Sequence, residues 1–591
     1  MHSKMISGSC FSLWCLVGLL LICHSGCDSS KPGAGKAETS DYEPPEFVFR
    51  PRQQTATEAT AHVVRFPVFQ DVAGAVGISH VFNNGASPRA LMIESTGGGS
   101  GWFDYDHDGI IDLCLTQGGI LCPAPEVVPE ADLLLRQRPD GRFVNCFTQA
   151  GLDDRGFGHG VAAGDFDNDG FDDVFVANAG QNRLFLNNGD GTFRDGTAAM
   201  TGDRAVWSST AAWADPDCDG DLDLYVCNYA IYDACNPVEC LDKEGIPSIC
   251  HPRNVESEPD FFFLNEGNGL LRECAAELGL KGPGNKALGV VIADLTADGV
   301  PDLYVANDTT ANFLFLRQAD GTYANAAPVL GGAFNATGEP QASMGIGFGD
   351  YDGNGLPDLL LTHFSGESNT LYQNRGVQGF VDVSGLTGLR EPTLPKLGFG
   401  TVMEDFNLDG QMDLFVVNGH IDPRYAEAEG YQMKPQLFSF DDVRWQECPE
   451  EINAVLGTAR VGRSVSSADF DADGDLDLCI VYHNSPTLLL RNESSCGKHL
   501  QIRLLGRQAS RSGLNCRVTV KAAGRTIERE IVGGTSYAAC HERVLFIAVP
   551  EDAETATVSV HWCGGETQVF EVSVSPAPML FVEGIAVPLE I

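Results

Sequence analysis

The stretch Asp165-Phe166-Asp167-Asn168-Asp169-Gly170-Phe171-Asp172-Asp173 decides how this chain is organised, because closely similar nine-residue stretches occur seven times. Each copy has an oxygen-bearing side chain at positions 1, 3 and 5, a glycine at position 6 and an aspartate at position 9. The copies begin at Asp104, Asp165, Asp215, Asp294, Asp350, Asp405 and Asp469. Alternate side chains of such a tight turn converge on one point, which is the oxygen-rich arrangement that Ca²⁺ prefers.

An EF-hand is the obvious alternative for an aspartate-rich loop, but it requires a glutamate at position 12 and flanking helices. Position 12 is apolar in all seven copies: Leu115, Val176, Val226, Val305, Leu361, Val416 and Ile480. Each lies in a short apolar run that is typical of a buried strand. The pattern therefore predicts a calcium loop that precedes a strand, with an ordinary solvated turn as the alternative for any single copy.

The predicted ligands are the side chains at positions 1, 3, 5 and 9, together with a backbone carbonyl at position 7. They are Asp104, Asp106, Asp108 and Asp112; Asp165, Asp167, Asp169 and Asp173; Asp215, Asp217, Asp219 and Asp223; Asp294, Thr296, Asp298 and Asp302; Asp350, Asp352, Asn354 and Asp358; Asp405, Asn407, Asp409 and Asp413; Asp469, Asp471, Asp473 and Asp477. Up to seven Ca²⁺ ions would bind, and the fourth loop, with its threonine, is expected to be the weakest site.

The spacing of the loops, 50 to 79 residues, suits a four-stranded antiparallel blade. We therefore predict an all-β fold with a seven-bladed β-propeller over residues 66–495 and a small β-rich domain over residues 496–585. Six loops are followed by a short outer strand, whereas the seventh is not. Residues 69–72 are predicted to supply the missing outer strand of the last blade, which closes the ring and leaves no exposed sheet edge.

The longest interval contains a cysteine-rich insertion at residues 227–261, which is expected on the face opposite the calcium loops. Cys227 with Cys250, or Cys235 with Cys240, are candidate pairs, and the sequence leaves the connectivity open. Fifteen of the 19 cysteines lie from Cys114 onward. In an exported chain we expect these cysteines to be largely paired.

A second recurring position lies thirteen residues after each first aspartate, at the end of the following strand. It is occupied by Gln117, Asn178, Asn228, Asn307, His363, Asn418 and Tyr482. These side chains either cap strand ends or form a polar ligand-binding rim opposite the calcium loops. The histidines His159, His363, His420 and His483 lack zinc-site spacing and are expected to be structural. No catalytic residue is predicted.

Residues 1–27 have the pattern of an export signal whose Ser-Gly-Cys ending resembles that of a bacterial lipoprotein, in which Cys27 would be lipidated. Ordinary secretion with cleavage nearby is the alternative. Residues 28–60 are rich in small, polar and charged residues and are predicted to be a disordered tether. The net charge of −43 argues against nucleic-acid binding, and a membrane would be reached only through the lipid.

The acidic loops resemble the FG-GAP or VCBS repeats of integrin α-chain propellers. The segments Ser510-Arg511-Ser512-Gly513-Leu514-Asn515-Cys516-Arg517-Val518 and Gly533-Gly534-Thr535-Ser536-Tyr537 partly resemble the ASPIC/UnbV domain, with Ala538-Ala539 where Ser-Gln is usual. The combination resembles bacterial relatives of the secreted cartilage acidic proteins. This resemblance implies an exported calcium-binding protein and no known catalytic activity.

These patterns favour a cell-surface binding or adhesion module for a protein or a carbohydrate. One alternative is an extracytoplasmic polysaccharide hydrolase or lyase that uses the face opposite the calcium loops. Another is a structural protein of the cell envelope. Paired carboxylates with raised pKa at the rim would favour the enzyme, whereas an asparagine-lined or apolar rim would favour a binding module.

Overall fold

The computed structural model describes residues 64–591 except 124, 125, 283, 423 and 425–429. The predicted export signal, the tether and Cys27 lie outside the described residues. Within the described part of the chain, no helix has the length and apolar character needed to span a membrane. The described residues belong to one compact unit.

Each acidic loop joins the first two strands of a four-stranded antiparallel sheet, here called a repeat, whose strands are named inner, second, third and outer. The strands of repeats 1 to 3 are, in repeat 1, Ser100–Phe103, Asp112–Leu115, Leu133–Gln137 and Phe143–Asn145; in repeat 2, Gly158–Gly164, Asp173–Gly180, Arg183–Asn187 and Phe193–Asp195; and in repeat 3, Val206–Ala214, Asp223–Ala230, Phe261–Asn265 and Leu271–Glu273. Those of repeats 4 to 6 are, in repeat 4, Ala287–Ala293, Asp302–Asn307, Phe313–Arg317 and Tyr323–Asn325; in repeat 5, Ile346–Gly349, Asp358–Leu361, Thr370–Asn374 and Phe380–Asp382; and in repeat 6, Gly398–Glu404, Asp413–Asn418, Gln436–Phe440 and Trp445–Glu447. Repeat 7 contributes its inner, second and third strands, Gly462–Ala468, Asp477–Tyr482 and Leu488–Asn492.

The inner strands of consecutive repeats contact one another in chain order, and the inner strand of repeat 7 contacts that of repeat 1. They therefore line a common axis, and the all-β propeller predicted from the repeats is confirmed. Small residues make this crowding feasible, since a Cβ added to Gly160 would lie 2.8 Å from the carbonyl oxygen of Ser209 in the next repeat.

The outer strand of repeat 7 comes from the other end of the repeat region. Phe69–Asp71 pairs antiparallel with Leu488–Asn492, so that the N-terminal strand completes the last sheet and covers its edge. One-turn helices and 3₁₀ turns connect the strands, at Ala73–Val76, Met92–Ser95, Phe147–Ala150, Thr197–Ala199, Pro252–Asn254, Ala275–Leu278, Ala327–Leu330, Gly376–Gln378, Arg390–Thr393 and Ala454–Gly457.

The C-terminal region contains two four-stranded sheets. One contains Leu545–Ala548, His499–Leu505, Met579–Val582 and Leu589–Glu590, and the other contains Arg525–Glu530, Arg517–Ala522, Thr555–His561 and Thr567–Ser573. Their buried residues, such as Val518 and Phe581, share one apolar cluster with Trp213 and Leu222 of repeat 3. The C-terminal domain therefore packs directly on the propeller.

Residues 533–543, here called the axial segment, run from the C-terminal domain into the ring of inner strands. Gly533–Gly534 pairs with the inner strand of repeat 4, and Ala539–Cys540 pairs with that of repeat 1. Hydrogen bonds join the segment to all seven inner strands, through Ser100, Ala163, Thr210, Val290, Ile346, Thr401 and Val465. Thr535, Ser536 and Ala538 have left-handed φ values of 77°, 53° and 54°, and these contacts offset that backbone strain.

The disulfide pairing differs from the pairing expected from the sequence. The described disulfides are Cys122–Cys235, Cys218–Cys563 and Cys240–Cys250. Neither candidate pair forms, because Cys227 is buried in the second strand of repeat 3, and Cys235 instead reaches a loop of repeat 1. The nine other cysteines from Cys114 onward are unpaired, and several serve as small apolar residues within the sheets. The prediction that these cysteines are largely paired was therefore wrong.

Candidate metal centres

The glycine at position 6 closes each acidic loop on the first aspartate. In all seven loops its backbone N–H donates to that carboxylate at 2.8–3.1 Å. These glycines have φ between 83° and 101°, a left-handed conformation that a side chain would strain. The turn therefore folds as the sequence requires, with the first carboxylate drawn over the loop.

The ninth aspartate is held from two sides. One oxygen accepts the N–H of position 2, at 3.0–3.3 Å in loops 1, 2, 5, 6 and 7. The other accepts a backbone N–H from the third strand, at 2.7–2.8 Å in loops 1, 2, 3, 5 and 7. In loop 3 position 2 is Pro216, which has no N–H, and Oδ2 of Asp223 is buried without a hydrogen-bond partner among the described residues.

Five loops gather three carboxylates whose oxygens lie within 4.8 Å of one another. The groups are Asp104, Asp106 and Asp108; Asp165, Asp167 and Asp173; Asp215, Asp217 and Asp219; Asp350, Asp352 and Asp358; and Asp469, Asp471 and Asp477. Loops 4 and 6, both fully described, form no such group. Thr296 in loop 4 donates to Asp302 at 3.1 Å, and the Asn407 amide in loop 6 donates to the carbonyl of Arg65 at 2.7 Å.

The electrostatics of these groups fit a divalent cation. Burial, reinforced by the neighbouring carboxylates, raises the pKa of Asp112 and Asp173 to about 8 and that of Asp358 to about 9. Oδ1 of Asp106 and Oδ1 of Asp165 are buried without a hydrogen-bond partner among the described residues. Hard oxygen donors that are desolvated and mutually repelling are the ligands that Ca²⁺ binds well.

The C-terminal domain covers the loop face of the propeller, which the sequence did not indicate. Arg511 lies 3.8 Å from Asp165, and Arg517 lies 3.5 Å from Asp294. The Cys218–Cys563 disulfide ties the third loop covalently to this domain. Acidic loops 2, 3 and 4 therefore lie at the boundary between the two parts of the chain.

A relay of amides, also missed from the sequence, connects five of the seven acidic loops to the next repeat. The side chain at the end of a third strand donates to the position-2 carbonyl of the preceding repeat's loop, at 2.8–2.9 Å in five repeats. The donors are Gln137, Asn187, Asn265, Asn374 and Asn492, and the acceptors are Phe470, Tyr105, Phe166, Leu295 and Phe406 respectively. One of these bonds joins repeats 7 and 1, whereas the third strands of repeats 4 and 6 end in Arg317 and Phe440 instead of an amide. The recurrence of an amide at this position was the available signal.

Replacing the buried amide of Asn187 with leucine should destabilise the chain by about 2–3 kcal/mol, because the carbonyls of Tyr105 and Asp172 and the N–H of Gly189 all lose their partner. The adjacent Asn188 is exposed, and Asn188→Leu should change the free energy of unfolding by less than about 0.5 kcal/mol. Urea unfolding of both variants with calcium present makes the comparison. Equal effects of the two substitutions would contradict a structural role for the relay.

The seven residues of the predicted rim are buried, with exposed fractions of 0–6%. In five of them, at positions 117, 178, 228, 307 and 363, the backbone N–H donates to a side chain just before the third strand of the same repeat, as for Asn228 with Asp260 at 2.7 Å and Asn307 with Asn312 at 2.8 Å. Burial raises the pKa of Asp260 to about 7, but its carboxylate also accepts from Tyr225 and belongs to this cap. The geometry supports strand capping rather than an open rim.

Residues from both faces of the propeller fill its central axis at the place where the polar ligand-binding rim was predicted. The hydroxyl of Tyr537, on the axial segment, accepts the N–H of Gly97 from the opposite face at 3.3 Å. His159 lies beside this contact and bonds to Trp207 at 3.1 Å, and burial lowers its pKa to about 4. A neutral, bonded histidine at this position supports the structural role predicted for it.

Comparison with known proteins finds matches to both the acidic-loop repeats and the C-terminal domain. The FG-GAP-like repeat model matches residues 104–176, 165–226, 294–361 and 350–416, and the ASPIC and UnbV model matches residues 506–580. The chain is an FG-GAP repeat protein with a C-terminal ASPIC/UnbV domain. Cartilage acidic protein 1 of Homo sapiens and of Mus musculus is each 24% identical to it over 496 residues, which is 78% of this chain and 68% and 70% of those proteins.

Among solved structures, this FG-GAP repeat protein is similar to an Agrocybe aegerita lectin that recognises non-reducing terminal N-acetylglucosamine. The two are 16% identical with a TM-score of 0.36, over 60% of this chain and 79% of the lectin. A V. cholerae biofilm matrix protein is 9% identical with a TM-score of 0.35, over 72% of this chain and 91% of that protein. Scores this low support no inference about function.

Proposed function

We propose that this FG-GAP repeat protein is exported, binds calcium through its acidic loops, and attaches to a protein partner at the cell surface. The proposed contact surface is the cap, defined as residues 118–123, 126–131 and 231–259. The second strand of repeat 3 runs from its metal loop at Asp223 to Ala230, where the cap begins. The cap therefore lies on the face opposite the metal loops and the C-terminal domain.

The observation that carries this proposal is the covalent bracing of the cap. Cys122–Cys235 joins its two parts across repeats 1 and 3, and Cys240–Cys250 closes the hairpin between Cys240–Leu241 and Pro247–Ser248. Arg424 of repeat 6 donates to the carbonyl of Pro247, which extends the cap across the face. A rigid surface loses little conformational entropy when a partner binds.

The exposed surface of the cap is apolar and acidic. Five aliphatic side chains are 50–75% exposed: Ile120, Val128, Ile231, Leu241 and Ile246. Exposed acidic residues lie among them at Asp233, Glu244 and Glu256, whereas Glu239 and Asp242 pair with Arg89 and Arg424. Exposed aliphatic side chains with a polar rim are typical of protein interfaces. The charge complements a partner with an apolar centre and basic edges, and we therefore favour a protein over a carbohydrate.

Export is supported by the three disulfides, which persist in oxidising compartments. The relationship to cartilage acidic protein 1 points in the same direction. We further propose that residues 1–27 direct export, that lipid on Cys27 anchors the chain, and that residues 28–60 form the tether. The chain enters the propeller near Asn407 on the metal-loop face, so the cap would be presented away from the point of attachment.

The test uses the ectodomain, which is the chain without residues 1–60, labelled and loaded with calcium. Its binding to intact cells of the species that produces the protein is measured, with Leu241→Asp and Ile246→Asp as cap variants. Each should weaken binding at least about tenfold, because a buried interface anchor contributes 1–2 kcal/mol or more. Val377→Asp is the matched control, since Val377 is 90% exposed in a turn of repeat 5.

All three variants should keep the wild-type thermal midpoint in calcium. Binding that survives both cap substitutions, or that Val377→Asp reduces equally, would remove the cap from the proposed function. Loss of binding in chelator alone would not distinguish the cap, because the whole propeller depends on the ions in this proposal.

A further inference from the structure

We propose that the C-terminal domain completes the calcium site of loop 3, with Asn515 as a positioning residue, and that this loop is the tightest calcium site of the chain. The inference rests on the calcium binding proposed above, and it adds which loop binds first and what the C-terminal domain contributes. Carboxylate oxygens of Asp215, Asp217 and Asp219 lie within 4.8 Å of one another. The features that distinguish loop 3 come from its surroundings.

Asn515 holds the first ligand of the loop from the C-terminal domain. Its Oδ1 accepts the backbone N–H of Asp215 at 3.0 Å, and its Nδ2 donates to the carbonyl of Ile292, on the inner strand of repeat 4, at 2.9 Å. The carboxylate of Asp215 in turn accepts the N–H groups of Asp219 and Gly220 at 3.0 and 3.1 Å. The carboxamide therefore fixes the residue around which the loop closes.

The C-terminal domain also packs directly against the turn of loop 3. The Cys218–Cys563 disulfide fixes the residue at position 4 of the loop. A Cβ added to Gly220 would lie 2.1 Å from the carbonyl oxygen of Gln508, so the backbone of the domain touches the turn. These contacts order the loop before the ion arrives, which lowers the conformational entropy that binding costs.

One buried carboxylate oxygen of loop 3 lacks a partner. Oδ1 of Asp223 accepts the N–H of Asn265 at 2.8 Å, but Oδ2 has no hydrogen bond within the described part of the chain. The side chains of Asp217 and Asp219 repel this carboxylate, which places it beside the other ligands. A buried, unpaired oxygen costs free energy, and a bound cation would recover that cost.

The other loops lack this combination. Arginines pair with carboxylates of loops 1, 2 and 4: Arg136 at 2.6 and 2.8 Å, Arg511 at 3.8 Å and Arg517 at 3.5 Å. The ligand carboxylates of loop 3 form no ion pair among the described residues, although Arg317 attracts Asp217. In loops 5, 6 and 7 both oxygens of the ninth aspartate already accept hydrogen bonds. Calcium in loop 3 therefore displaces no ion pair and satisfies an unpaired oxygen.

The C-terminal domain also reaches the first aspartate of two other loops, but with charged groups. Glu530 accepts its N–H in loop 4 at 3.2 Å, and Glu542 accepts it in loop 7 at 3.0 Å. Arg517 attracts Glu530, and Arg503 pairs with Glu542. Asn515 is uncharged, so its side chain can be removed without changing the charge beside the ion. This makes it the sharpest test of positioning.

The experiment is isothermal titration of the ectodomain with calcium against a competing chelator. Asn515 has a φ of 60°, which glycine and aspartate both tolerate. Asn515→Gly removes the acceptor and should weaken the tightest site roughly three- to tenfold. Asn515→Asp keeps an oxygen for the N–H of Asp215 and should keep the wild-type affinity. Asp552→Gly, at an exposed position of the same domain, should also leave the affinity unchanged.

A double-mutant cycle assigns the effect to loop 3. Asp219→Asn removes an exposed ligand of this loop and should abolish the tightest site, so that adding Asn515→Gly has no further effect on calcium binding. Hydrogen exchange of the wild-type chain decides the question even if a variant fails to fold. At about one equivalent of calcium, amides of residues 506–516 and of loop 3 should exchange more slowly, whereas those of loop 1 should not change.

The inference is overturned if Asn515→Gly binds calcium as the wild type does, if Asn515→Asp is as weak as Asn515→Gly, or if calcium protects loop 1 before loop 3. In each of these cases the wild type still binds calcium, so the proposed function is unaffected. A wild-type chain that binds no calcium would remove both. The cap variant Leu241→Asp should titrate as the wild type does, because the cap lies on the opposite face.

Discussion

Chelating calcium at about pH 7.5 is expected to lower the thermal midpoint of the ectodomain strongly, and at about pH 5 to lower it much less. One filled site contributes about 2.7 kcal/mol at a hundredfold excess of calcium over its dissociation constant, and several sites act together. The carboxylate groups of loops 1, 2, 3, 5 and 7 are where this effect should originate. Scanning calorimetry at both pH values, with calcium and with chelator, makes the measurement.

The pH dependence follows from the raised pKa values of the ninth aspartates. In the metal-free fold the pKa of Asp112 and Asp173 is about 8, whereas the ordinary value is 3.8. The folded chain therefore binds protons more tightly than the unfolded chain does. The contribution of these two carboxyl groups to metal-free stability is fully present below about pH 4 and is lost as the pH rises toward about 8. Bound calcium replaces those protons, so the stabilisation by calcium should grow over the same range.

A matched pair of substitutions locates the effect. Asp173→Asn should reduce both the calcium-dependent gain and the loss of metal-free stability at high pH, because it removes a carboxylate that must otherwise ionise beside its neighbours. Asp552→Asn, at an exposed position of the C-terminal domain, should change neither. If metal-free Asp173→Asn loses as much stability between pH 5 and 7.5 as the metal-free wild type, or if the wild type is indifferent to chelator, the assignment of these loops to calcium is contradicted.

The acidic loops and the strands that follow them could be predicted because their determinants are local. The glycine at position 6 is dictated by a left-handed turn, and the ninth aspartate is dictated by the N–H groups around it. Both recur at fixed offsets, so one sequence shows them seven times. The outer strand at residues 69–72 was inferred in the same way, from a missing member of a repeating series.

Contacts between residues far apart in the sequence could not be predicted from local patterns. The axial segment consists of small residues around Tyr537, and nothing local indicates that it pairs with strands more than 200 residues away. The Cys122–Cys235 bond joins two loops 113 residues apart whose proximity depends on the closed ring. The polar positions at the strand ends were found, but whether they face solvent or cap a strand depends on the loops that cover them.

Tyr537→Ala should destabilise the chain by about 3–5 kcal/mol, the range seen when a buried aromatic side chain is truncated to alanine. The residue is fully buried on the propeller axis, with its ring 5.1 Å from that of Phe399. Its hydroxyl joins the axial segment to Gly97 from the opposite face. Urea unfolding in saturating calcium gives the free-energy change, and Tyr537→Phe is the matched control at about 0.5–1.5 kcal/mol.

The same variant tests whether the axial segment couples the two parts of the chain. Because this segment bonds to every inner strand, the wild type should unfold in one transition that includes the C-terminal domain. In Tyr537→Ala, reduction of Cys218–Cys563 should release that domain first, so that a separate early transition appears and protease cleaves near residue 496. A single unchanged transition under reducing conditions would mean that the packing of the domain on repeat 3, rather than the axial segment, holds the two parts together.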